Sequence, residues 1–85
     1  MNYKDDWRLF RNQINYLYQA HLSYHQYVPS SPGNDHDHCE FCMDKFGVDD
    51  SNLHVGYSTQ NGAIWICEKC YQDFAKMFHW TVDEN

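Results

Sequence analysis

Cys39-Glu40-Phe41-Cys42 and Cys67-Glu68-Lys69-Cys70 decide the fold of this chain. Each C-x-x-C unit bends its backbone around one edge of a metal, and two such units supply the four ligands of a tetrahedral structural zinc site. Cys39, Cys42, Cys67 and Cys70 are therefore the expected ligands of one Zn²⁺. The 24 residues between the pairs, 43–66, slightly exceed the usual spacing, and a hairpin in that stretch would return the second pair to the first. Iron held by four thiolates, two disulfides and free core thiols are the competing readings. A redox pair is a further one, but a thioredoxin-like site needs a single C-x-x-C in a βαβ setting, and this chain is too short and too differently ordered for that.

The segments around the cysteines have their own periods. Leu53-His54-Val55-Gly56-Tyr57-Ser58 alternates roughly at period two, Gln60-Asn61-Gly62 is a turn signal, and Ala63-Ile64-Trp65-Ile66 returns. This predicts a hairpin with Asn61-Gly62 as a two-residue primed turn. Tyr71, Phe74, Ala75 and Phe78 then fall at helical spacing and predict an amphipathic helix over 68–79. Cys67 would sit at its start, where the dipole favours a thiolate. At the other end Trp7, Phe10, Ile14, Leu17 and His21 or Leu22 recur in steps of three and four, with Arg8, Arg11, Asn12, Gln13 and Asn15 between them. That predicts a second amphipathic helix over 3–27, capped by Asn2 or Asp5. Val28-Pro29-Ser30-Ser31-Pro32-Gly33-Asn34-Asp35 collects helix breakers, so 28–38 reads as a loop, too short to separate domains. The expected architecture is one α+β, metal-stabilised domain over 1–85, with the N-terminal helix packed on a zinc module at 39–80.

A knuckle, a β-hairpin and a C-x-x-C that opens a helix resemble the treble-clef zinc finger, and 39–80 follows that order. The string Asp35-His36-Asp37-His38-Cys39-Glu40-Phe41-Cys42, with Gly56-Tyr57 and Trp65-Ile66-Cys67-Glu68-Lys69-Cys70-Tyr71-Gln72-Asp73-Phe74, also resembles a family of small bacterial proteins without an assigned activity. That second resemblance covers nearly the whole chain and implies no mechanism. Treble clefs also include the HNH nucleases, which carry an Asp-His pair in the first hairpin strand after the knuckle. Here that place holds Gly56-Tyr57, and the Asp-His motif lies before the knuckle instead.

A chain of 85 residues often needs a metal, disulfides or a partner to stabilise its small core, and seven Tyr, five Phe and three Trp supply large buried areas from few elements. Six basic against twelve acidic side chains give a net charge of -6. Four thiolates around one Zn²⁺ would take it to about -8. Such a field repels phosphate, so nucleic acid is not an expected partner. No apolar run reaches the length of a signal peptide or a membrane span, which leaves a reducing cytoplasm as the expected compartment and metal ligation as the expected use of the thiols.

His36 and His38 stand beside Cys39 with Asp35 and Asp37 interleaved. In an extended segment the two His point one way and the two Asp the other, which suits hydrogen bonds that brace the knuckle or an open second metal site. His54 and His79 read as structural, and His21 with His25, four apart on the expected helix, as a weak metal clamp without an acidic partner. The reading that follows is a small protein with one structural zinc that acts as a non-enzymatic protein-interaction module. Its acidic surface and the tyrosines Tyr16, Tyr18, Tyr24 and Tyr27 would dock a basic protein partner, as an inhibitor or immunity-type protein does in the groove of a nuclease or toxin. The alternative is a metal-dependent hydrolase that uses an open His36/His38 site.

Overall fold

The chain enters the fold through two backbone reversals where a continuous helix was expected. The computed structural model describes residues 6–29, 33 and 35–83. Asn12 (φ 54°) and Gln19 (φ 62°) adopt left-handed conformations that no helix interior tolerates. The segment is therefore a 3-10 turn, Trp7–Leu9, a single helical turn α1, Ile14–Leu17, and a strand β1, His21–Gln26. The expected helix over 3–27 is thus corrected, and its Asn2 or Asp5 cap lies outside the described residues. Asp6 caps the 3-10 turn through the Arg8 amide at 2.9 Å. Leu17 is buried as the helical period implied, whereas Trp7 is 65% and Phe10 55% exposed.

Strand β1 is strand-like for tertiary reasons. It lies between two partners distant in sequence: β4, Val55–Thr59, runs antiparallel to it with Tyr24 opposite Tyr57, and β6, Thr81–Val82, runs parallel to it. β5, Trp65–Ile66, completes a four-stranded sheet in the order β5-β4-β1-β6. A second sheet pairs β2, His36–His38, with β3, Lys45–Gly47, antiparallel. The end of the expected 28–38 loop is therefore strand; residues 30–32 and 34 of it are outside the described residues. The β2–β3 hairpin carries Cys39 and Cys42 in its connection, where Met43 turns left-handed (φ 69°) and its amide bonds the Cys39 carbonyl at 3.1 Å.

The hairpin of β4 and β5 pairs as its alternation predicts, Tyr57 against Ile66 and Ser58 against Trp65. Its turn differs from the expected one. Only Gly62 (φ 72°) is left-handed, and its amide bonds the Thr59 carbonyl at 2.9 Å. The Asn61 carboxamide oxygen accepts from the Thr59 hydroxyl and the Ala63 amide, so Asn61 shapes the turn by hydrogen bonding and not by positive φ. Helix α2, Glu68–Phe78, is the one long helix among the described residues. It starts at Cys67, as its period required, and ends in a Schellman arrangement. His79 takes the left-handed position (φ 56°), with amides of His79 and Trp80 bonded to the carbonyls of Lys76 and Ala75.

The core lies between α2 and the sheets. Phe41 of the cysteine connection stacks on Phe74 of α2 at 4.9 Å between ring centres, and Phe78 and Trp80 meet it edge-on. On the other side Tyr27, Phe46 and Trp65 form a cluster of rings 4.9 to 5.9 Å apart. Tyr27 is only 5% exposed, so it leaves the set of surface tyrosines expected from the sequence, while Tyr16, Tyr18 and Tyr24 are exposed. Among the described residues no helix is long and apolar enough to cross a membrane.

Gly56 marks how tightly the main sheet meets the small one. A Cβ there would sit 2.8 Å from the Ile66 carbonyl oxygen and 2.8 Å from two carbons of the Phe46 ring. Neither backbone nor a fully buried ring yields easily, so Gly56→Ala should destabilise the fold by about 2 kcal/mol. Chemical denaturation of the two proteins measures this; an unchanged midpoint would show that the sheets are looser than described.

Candidate metal centre

Two connections deliver the cysteines to one place. The β2–β3 hairpin presents Cys39 and Cys42, and the β5 to α2 junction presents Cys67 and Cys70. The two are joined where the Glu40 amide bonds the Trp65 carbonyl at 2.8 Å. The four sulfurs all lie within 4.8 Å of one another, and Cys42 Sγ is 3.6 Å from Cys67 Sγ. Cys39, Cys67 and Cys70 are buried and Cys42 is half-buried. All four cysteines named by spacing alone are brought together, and the cluster could hold a metal ion.

Backbone amides already point at the sulfurs. Cys67 N–H donates to Cys39 Sγ at 3.3 Å, and Cys70 N–H donates to Cys67 Sγ at 3.4 Å. The second of these is an N-cap, in which the thiol replaces the usual hydroxyl or carboxylate. Hydrogen bonds from the Cys67 and Cys70 thiols, with further help from backbone amides, hold the Cys39 pKa far below the ordinary thiol value. The same coupling to Cys39 raises Cys67 and Cys70, and burial pushes Cys42 up to about 12. Packed this closely, one thiolate opposes the ionisation of the other three, and a bound cation is what would release them.

Arg8, which the sequence reading set only between the apolar positions of the expected helix, lies beside the sulfurs. The guanidinium is buried against the cluster, with Nη1 3.5 Å from Cys70 Sγ and 2.8 Å from Asp73, and Nη2 2.7 Å from Asp6. It also lies 4.5 Å over the Phe74 ring. Hydrogen bonding to Asp6 keeps Arg8 firmly protonated and holds Asp6 below the usual carboxylate range. Nothing in the helical period marked this. Arg8 reaches the cysteine cluster because the 3-10 turn and the reversal at Asn12 turn the segment back across α2. The knuckle is held from the same side: Gln13 Nε2 donates to the carbonyl of Glu40 at 3.0 Å and the Tyr16 hydroxyl donates to its carboxylate at 2.5 Å.

The histidines do not join the cluster. His36 and His38 share one side of β2 with rings 5.2 Å apart, and Asp37 on the other side accepts from the Tyr27 hydroxyl at 2.7 Å, as the extended geometry implies. Among the described residues the four cysteines form the one group of three or more side chains placed to share a metal; His36 Nδ1 bonds the Asp35 carboxylate at 2.8 Å, but His36 and His38 join no such group. His21 and His25 lie on a strand instead of the expected helix: His21 bonds Thr81 and Asp83, and His25 bonds Ser58 at 2.7 Å. His54 bonds the Asp49 carbonyl and His79 caps α2, both structural roles. No family model, curated protein or solved structure matches this chain.

With Cys39 lowered and the other three thiols raised, loading the cluster near neutral pH should release about three protons. The sign is fixed: raised thiol pKa values make the empty cluster hold protons, so metal affinity rises with pH and falls as pH drops. Calorimetry in buffers of different ionisation enthalpy measures the count. Arg8→Gln removes the cation beside Cys70 and should weaken metal binding by roughly tenfold or more, measured by chelator competition.

Proposed function

We propose that this chain is a structural-zinc module of treble-clef type whose surface binds a protein partner. The observation that carries it is the convergence of four cysteine sulfurs, within 4.8 Å of one another, from a hairpin connection and a helix start. Zinc suits this donor set. Four thiolates at a Zn–S distance of about 2.3 Å make a tetrahedron with edges of about 3.8 Å, and the Cys42–Cys67 separation of 3.6 Å is close to that edge. The order of β2–β3 with its cysteine connection, then β4–β5, then α2 supports the treble clef. When bound, zinc supplies a dication that neutralises half of the thiolate charge and links the two connections; Cys39, Cys42, Cys67 and Cys70 would hold it.

The partner reading draws on the surface. Trp7, Phe10 and Ile14 are exposed apolar side chains on a segment tied to both ligating connections, and Tyr16 and Tyr18 are exposed close by in sequence. Large aromatic side chains of this kind dominate contact energies at protein interfaces. The net charge of -6 favours a basic protein partner. A bacterial source and a cytoplasmic setting remain part of this proposal. The hydrolase alternative at His36 and His38 has less support, since among the described residues they belong to no group of three donors placed to share a metal.

The test is affinity capture with the metal-loaded chain, a Cys39→Ser form, and a Trp7→Ala/Phe10→Ala form that leaves the cysteines in place. The proposal expects a basic protein retained by the first only, with one zinc per chain kept by the aromatic variant. Equal capture by all three forms, or none by any, would remove the partner reading; loss of no metal in Cys39→Ser would remove the zinc reading.

A further inference from the structure

The four sulfurs are not equally protected. Cys39 is fully buried and accepts the Cys67 amide, and Cys70 is fully buried with Arg8 against its sulfur. Cys42 alone is not buried. It opens, with the edges of Cys67 and Cys70, on a cleft of about 350 Å³ whose other walls are Asp6, Trp7, Arg8, Asp44 and Lys69. Cys39 is not part of that wall. Within the cleft, Cys42 and Cys67 are in van der Waals contact at 3.6 Å, while the guanidinium draws charge from Cys70. Thiolate reactivity follows access, and access singles out Cys42. The cleft wall sets Arg8 and Lys69 against Asp6 and Asp44, and Trp7 forms part of its rim.

We propose that Cys42 is a modification site, at which the cluster reacts with hydroperoxides to form a reversible Cys42–Cys67 disulfide. The inference rests on the zinc reading above. The Cys42 thiolate attacks one peroxide oxygen, which forms an S–O bond and breaks the O–O bond. The second oxygen leaves as water or alcohol after taking a proton. The Cys67 thiolate then attacks the Cys42 sulfenic sulfur, which forms the S–S bond and expels hydroxide, protonated to water. Two thiolates lose two electrons to the peroxide, so the balance closes with hydroperoxide as the sole oxidant. Only Cys39 and Cys70 then remain as thiolate ligands, and zinc release accompanies the bond. Because the new bond would join the same two connections that the metal joins, the switch exchanges one link for another.

The experiment uses the full wild-type chain, with its zinc content measured first. A pulse of N-ethylmaleimide followed by peptide mass spectrometry should label Cys42 about tenfold faster than Cys39 or Cys70. Stoichiometric hydrogen peroxide should then release one zinc per chain to a chromogenic chelator, with Cys42 and Cys67 in one disulfide-linked peptide, and thiol reductant with zinc should restore the starting form. Equal labelling of the four cysteines, first labelling at Cys39 or Cys70, or a disulfide within either C-x-x-C would overturn the proposal while leaving the zinc reading standing. A chain that carries no zinc at the outset would overturn both.

Discussion

Four sulfurs within 4.8 Å of one another are the constraint on which the rest of this fold depends. In the reduced protein such a cluster is stable only if its charge is limited by protons or balanced by a cation, and the pattern of one lowered and three raised thiols expresses that conflict. A metal removes it. The β2–β3 hairpin and the start of α2 would then be held together by coordination, and the aromatic core follows from that meeting: Phe41 lies between the two ligands of the first pair and packs on Phe74 and Phe78 of the helix that the second pair opens.

The same constraint organises the surface beside the cluster. Arg8 brings a positive charge to the four sulfurs, and Asp6 and Asp73 balance it, so the N-terminal segment is bound to the cluster by charge as well as by packing. Gln13 and Tyr16 hold the same segment to Glu40 in the knuckle. The exposed Trp7 and Phe10 are consequently displayed from a stretch whose position depends on both cysteine-bearing connections. A protein partner that reads those rings would read the assembled cluster with them.

The two cysteine pairs that cluster, the β4–β5 pairing and α2 were legible in the sequence because each is set by neighbours within a few residues: C-x-x-C spacing, period-two alternation, and the 3.6-residue period of Tyr71, Phe74 and Phe78. The N-terminal region was not, and the reason is physical. Trp7, Phe10, Ile14 and Leu17 match a helical period, yet Asn12 and Gln19 take left-handed backbone and break it. What makes His21–Gln26 a strand is pairing with β4 and β6, distant in sequence, and local periodicity carries no record of that. Tyr24 opposite Tyr57 is the one hint, a cross-strand aromatic pair visible only once the register is known. Arg8 was missed for the same cause, since its path to Cys70 exists only after the helix is abandoned. The turn at Gly62 was placed correctly and its type was not, because the loop between Thr59 and Ile64 is wider than a two-residue turn and is held by hydrogen bonds to the Asn61 side chain.

X-ray absorption at the zinc edge on the chain purified without added metal or chelator tests the central claim most directly. The account predicts one zinc per chain with four sulfur neighbours at about 2.3 Å and no nitrogen or oxygen in the shell. A shell containing imidazole or oxygen, or a chain that carries no metal, would contradict it and return the four cysteines to some other role.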